Sequence, residues 1–105
     1  MMNLVTMVGR IAKLETEEAT EERAFEITTM TLAITRKFKN PEGIYETDFI
    51  KVQMLNNISK TASEYCQKGD LVGVRGRLQV INNQLCVIAE QVSFLSTKVN
   101  NGEVE

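Results

Sequence analysis

Apolar residues at every second position, kept up through separate stretches of the chain, constrain it more than any other feature. Side chains alternate across a strand, so this pattern builds sheets with one face turned to a core. In NLVTMVGRIAK, Val5, Met7, Gly9 and Ile11 share one face, and Leu4, Thr6, Val8 and Arg10 the other. In FEITTMTLAITR, rich in β-branched residues, Thr28, Met30, Leu32 and Ile34 point inward and Thr29, Thr31, Ala33 and Thr35 outward. TDFIKVQML places Ile50, Val52 and Met54 on one side against Phe49, Lys51, Gln53 and Leu55. LVGVRGRLQV sets Val72, Val74, Gly76, Leu78 and Val80 against Arg75, Arg77 and Gln79, and QLCVIAEQVSFL supplies a further strand.

What interrupts the alternation fixes the order of elements. Between the third and fourth strands the period changes: Ile58, Ala62, Tyr65 and Cys66 fall at helical spacing, with Asn57 as the expected N-cap and Gly69 as the stop. KFKNPEGIYE, with the chain's only proline, reads as a long hairpin loop, and Asn82-Asn83 as a tight reversal. Gly9 reads as a bend or bulge. Three strands, a helix and two strands match an OB-fold, an all-β, five-stranded Greek-key barrel with one short helix. An open five-stranded α+β sheet is the alternative, disfavoured because the strand glycines suit barrel corners. The domain is expected over residues 1–96, with residues 97–105 a polar, disordered tail.

A chain of 105 residues accommodates one such domain and no second. No apolar run reaches membrane-spanning length and MMNLVTMVGR lacks the layout of a signal peptide, so a cytoplasmic location is expected. Cys66 and Cys86 show no metal-ligand or redox spacing and read as ordinary thiols in a reducing compartment. The net charge of −2 is unevenly placed: residues 15–26 carry six glutamates against one arginine, which leaves the rest of the chain at +3. A cationic face can therefore coexist with an acidic connection.

The chain has no histidine, no nucleophile beside a partner base, no glycine-rich phosphate loop and no metal-ligand cluster, so we read a non-enzyme without cofactor or metal. Phe49 is the informative residue. If Ile50, Val52 and Met54 face the core, its ring lies on the outer side of the second and third strands, the oligonucleotide platform of OB-folds. An exposed ring stacks on any base, and Lys51, with the RKFK cluster of Arg36, Lys37, Phe38 and Lys39, supplies charges for phosphates. Arg10, Arg75 and Arg77 are expected to extend the cationic track. Each has a plainer alternative: Phe38 folded back onto the barrel mouth, Phe49 in a subunit interface, the arginines as ordinary surface. Phe25, Tyr65 and Phe94 are assigned to the core, and Tyr45 is a weaker stacking candidate.

The segments MNLVTMVGRI, MTLAITR, TDFIKV, SEYCQKGDLVGVRGRL and VSFL, in this order over residues 2–95, resemble the bacterial single-stranded DNA-binding proteins (SSB). The resemblance implies sequence-independent binding and protection of single-stranded DNA in replication, recombination or repair, by a nucleoid-associated homotetramer, with a dimer left open. It implies that Phe38 and Phe49 stack on bases and Lys51 contacts phosphate. Leu55 stands where the family often has another aromatic, and the Asn82-Asn83 turn lacks the aromatic and basic residues common there. The chain ends in Asn-Gly-Glu-Val-Glu without the family's acidic tip closing on proline and phenylalanine, so recruitment of other proteins by such a tip is not implied. The competing function is a protein-interaction OB module akin to a primosomal accessory factor, in which the same rings contact protein.

Overall fold

The computed structural model describes residues 1–97, and every alternating segment forms a strand in it. The order is β1 (Val5–Glu17), β2 (Ile27–Lys39), β3 (Tyr45–Leu55), α1 (Asn56–Tyr65), β4 (Leu71–Ile81) and β5 (Gln84–Ser96). The strands close into a barrel in the order β1-β2-β3-β5-β4. β1 is shared, pairing with β4 through its first half and with β2 through its second. A short parallel contact, Val52 opposite Val87 and Gln53 opposite Ile88, joins β3 to β5 and leaves no open edge there. This is the OB-fold architecture expected from the element order. The expected tail falls mainly on residues 98–105, outside the described residues.

Ile11, Met30, Leu32, Val52, Met54, Val72, Val74, Val87 and Ala89 fill the barrel, with Ala62 and Cys66 closing one end. Of the inward set expected for β2 and β3, Thr28, Met30, Leu32, Val52 and Met54 are buried and Ile34 and Ile50 partly so, because period-two patterning and a one-sided core leave a single register. In β1 the expectation needs correction. The pairing with β2 shifts between Ile11 and Lys13, so Ala12 is the extra residue of a bulge, not Gly9. Gly9 serves close approach instead: a Cβ there would lie 2.9 Å from the Ala33 carbonyl oxygen and 2.8 Å from Ile34 Cγ1. The bulge carries polar backbone that needs partners, and the turn after α1 supplies them. The Ile11 N–H donates to the Asp70 carbonyl at 2.9 Å, and the Gly69 N–H donates to the Ile11 carbonyl at 2.8 Å.

α1 begins immediately after Leu55, which occupies the N-cap position without a side-chain cap, so Asn57 is not the cap. Asn56 takes φ 55°, a left-handed conformation that asparagine tolerates, and turns the chain from strand into helix in one step. A buried polar chain fastens the helix: Thr28 Oγ1 lies 2.6 Å from Ser59 Oγ and 3.0 Å from Thr16 Oγ1, linking α1, β2 and β1. Tyr65, 70% exposed, Phe94, 51% exposed, and Phe25, also at the surface, are not core residues as expected. Tyr65 is the last residue of α1, and Phe94, opposite Val72 near the end of β5, lines with it an open recess beside the helix that leaves both rings exposed. Leu78 and Val80 are likewise exposed, since the β4–β5 hairpin runs on past the barrel to its Asn82-Asn83 turn, with φ 52° and 66°. Positive φ at both positions suits a type I′ turn, which makes the tight reversal expected there.

Candidate nucleic-acid interface

Strand register arranges the outer faces of β1, β2 and β3 in rows. Arg10, Ala33 and Phe49 stand opposite one another in the first, and Lys13, Thr31 and Lys51 in the second. Glu15, Thr29 and Gln53 form the third, and Glu17, Ile27 and Leu55 the fourth. The surface thus runs from a ring among cations to an acidic, apolar end. Phe49 is 66% exposed, so it is neither core nor covered within the subunit. Lys51 is exposed and has no carboxylate partner among the described residues. Arg10 donates from Nη1 to the Gly69 carbonyl at 3.1 Å, which holds its stem at the edge of the first row.

The RKFK cluster lies on a strand, not in a loop. β2 and β3 continue to the pair Lys39–Tyr45, and the loop is only residues 40–44. Asn40 organises it, its Oδ1 accepting from the backbone N–H groups of Glu42 and Ile44, both at 2.9 Å. The pairing slips between Thr35 and Lys39, so Arg36, Lys37 and Phe38 bulge from the arm, and Phe38 is 81% exposed. Lys39 Nζ sits 5.7 Å from the centre of the Tyr45 ring, a cation–π contact that occupies both.

Arg36 departs most from expectation. Its Nε and Nη2 fork onto Asp48 at 3.0 and 2.9 Å, and Nη1 reaches Glu46 at 2.7 Å. The Asp48 hydrogen bond and charge, with that of Glu46, raise the arginine's pKa, and the same hydrogen bond holds the Asp48 carboxyl below its ordinary range. Alternation puts Arg36 in phase with Ile34 and Asp48, so it belongs to the face opposite Phe49. Its charge is already answered by two carboxylates.

Arg75, Arg77 and Leu55 are not brought together with Phe49 either. Arg75 is exposed on β4 between Thr6 and Gln91, across the barrel from the β2–β3 pair. Arg77 is half-buried, with Nη1 on Glu90 at 3.2 Å and Nη2 on the Gln79 side-chain oxygen at 3.0 Å. Leu55 ends β3, about 20 Å along the strand from Phe49, where it lines a recess with Asn56, Ile58, Arg77 and Ile88. The rows instead contain Lys13, which alternation from Gly9 alone would have turned inward; only recognising Ala12 as the extra residue restores it to the outer face.

Beside the third row the face meets the start of β5. Glu15, Thr29, Lys51, Gln53, Gln84, Leu85 and Cys86 line a groove of about 270 Å³ there. Among the described residues no group of three or more histidines, cysteines, aspartates or glutamates is placed to hold a metal ion. Nor is any described helix long and apolar enough to cross a membrane.

Residues 2–95 match the model of the Single-strand binding protein family. Single-stranded DNA-binding protein 3 of Listeria innocua is 35% identical over 95% of this chain and 68% of its own length. Single-stranded DNA-binding protein 1 of Clostridium acetobutylicum is 34% identical over 92% of this chain and 96% of its own. Among solved structures, the single-stranded DNA binding protein from Thermus aquaticus, a deletion mutant, superposes with a TM-score of 0.69 at 22% identity, over 90% of this chain and 51% of that one. The protein priB from Ralstonia solanacearum superposes with 0.72 at 12% identity, over 90% and 98% of the two chains. At such identities both likenesses speak for the barrel alone. Matched over nearly all its described length and aligned with relatives above 30% identity, the chain belongs to the single-strand binding protein family.

Proposed function

We infer that the chain binds unpaired DNA without reading its sequence, laying it across the outer face of β1–β3. The observation that carries this is the exposed Phe49 ring bounded by Arg10 in its own row and by Lys13 and Lys51 in the next. A base stacks on the ring, and the ammonium groups neutralise the phosphates on either side of it. Phe38 and Lys37, at the surface of the β2–β3 arm, continue the path past the barrel. A protein-binding OB module would need the rings but has no use for cations set directly beside them. The reading assigns binding and protection, with no chemical step, and fits a role in replication, recombination or repair.

Assembly belongs to the same reading. Val8 and Leu95 flank Gly73 on the β1–β4–β5 side and are about half exposed, and Leu4 nearby is more so. Such a face on the side away from Phe49 suits contact between copies, and a tetramer joins several binding faces into a longer path.

Titration of poly-dT and of duplex DNA at two salt concentrations tests the binding. Preferential, salt-sensitive binding of poly-dT is expected; no binding to either, or equal binding to both, defeats the reading. Mass measurement in solution, with and without oligo-dT, tests the assembly.

A further inference from the structure

The groove beside the third row contains polar groups that the protein leaves unused. We propose that it is a subsite for one nucleobase bearing an exocyclic amine, read by Glu15, Gln53 and Gln84, with the adjoining phosphate on Lys51. The proposal rests on the single-strand reading above and adds to it a base preference at one position. At about 270 Å³ the groove lies just below the usual range of small-ligand sites, roughly 300–1,000 Å³.

Lys13 Nζ holds Glu15 Oε2 at 3.1 Å and so orients the carboxylate. Glu15 Oε1 has no hydrogen-bond partner among the described residues, nor do the side-chain amides of Gln53 and Gln84 or the Thr29 hydroxyl. The amides and the hydroxyl can each donate or accept, but an ionised carboxylate only accepts. The Glu15 wall therefore rewards an N–H₂ group and repels carbonyl lone pairs. Cytosine, adenine and guanine carry such an amine, whereas the donor of thymine is a single ring N3–H set between two carbonyls, whose lone pairs meet the carboxylate unfavourably. Carboxylate to cytosine N4 is an established pairing of this kind. Lys51, one row back on β3, is placed for the phosphate, and Leu85 for the apolar face of the base.

Glu15 also repels phosphate, so absolute affinity would not isolate its part; the ratio between bases does. Dissociation constants for oligo-dC and oligo-dT of matched length are measured for the wild type and for Glu15→Gln, at one salt concentration and slightly alkaline pH, where cytosine is unprotonated. Glutamine can donate to a thymine carbonyl, so the substitution should shift the ratio of dC to dT affinity toward dT by roughly fivefold or more. An equal gain for both oligonucleotides would show Glu15 to be only a charge near the backbone and would overturn the subsite, as would no change in either. Gln84→Ala should weaken both, and wild-type binding of both by that variant would remove the β5 wall. Failure of the wild type to bind either oligonucleotide overturns the single-strand reading and the subsite together; binding with an unaltered ratio overturns the subsite alone.

Discussion

Phe49 stands directly opposite Ala33 across the β3–β2 ladder, so its nearest cross-strand neighbour is a single methyl group. A larger partner would lie against the ring and leave it less free; alanine leaves it open to a ligand. This pairing separates the ring's role in binding from any role in holding the barrel.

Phe49→Ala is accordingly expected to weaken oligo-dT binding by roughly 1–3 kcal/mol. The unfolding temperature should hardly move, because the ring is mostly exposed. Binding is read by fluorescence titration and folding by thermal melting. A large fall in melting temperature would assign the ring to structure or to a subunit interface.

Lys51→Ala and Lys13→Ala should each reduce the slope of log affinity against log salt by about 0.7, the value for one phosphate contact on a single strand. Arg75→Ala, across the barrel, should leave the slope as it is. A Lys13 variant with the wild-type slope would show that Glu15 keeps this lysine from the phosphates.

Thr28→Val keeps the side chain's shape and deletes the hydroxyl that joins Ser59 to Thr16. Ser59 is fully buried and retains only the longer contact to Glu26, at 3.2 Å. A loss of about 0.5–1.5 kcal/mol in stability is expected from denaturant unfolding, the usual net worth of one hydrogen bond, because Ser59 still donates to Glu26. An unchanged midpoint would mean that the Glu26 contact suffices to anchor the helix.

Burial, with a smaller contribution from the Asp70 charge, pushes the Cys66 thiol pKa up. The folded protein thus keeps the thiol proton at a pH where the unfolded chain loses it. The associated stability is present below the unfolded thiol's pKa and drains away as pH rises toward the folded value. Cys66→Ala should flatten this alkaline decline in melting temperature. Alkylation followed by mass spectrometry should label Cys86 well before Cys66 in the native protein, in keeping with their burial.

The barrel was legible because alternation and burial agree wherever a strand has one dry side, as in Met30, Leu32, Val52 and Met54. Element order followed from the change of period at Ile58 and Ala62 and from the Asn82-Asn83 reversal. Leu78 and Val80 continue the same alternation yet are exposed, since a periodic pattern does not say where the barrel ends and a free hairpin begins. Ala12 was invisible because nothing in its chemistry marks a bulge, and Lys13 was overlooked with it. Arg36 counted as available because its carboxylate partners, Glu46 and Asp48, become neighbours only when the hairpin pairs. Phe49 and Lys51 were readable together because two residues apart on one strand is also side by side in space.

The extra residue at position 12 has a consequence for how the length of this chain can change. Upstream of it, loss or gain of a single amino acid before Ile11 would exchange Arg10 for a core side chain, whereas a two-residue change would keep both faces in step. Removal of Ala12 itself would instead erase the bulge and leave Lys13 facing outward and Leu14 inward, a single-residue loss that keeps both faces in step. Insertions and deletions in this segment are therefore expected to survive in even numbers, and odd ones only where they remove this bulge or create another.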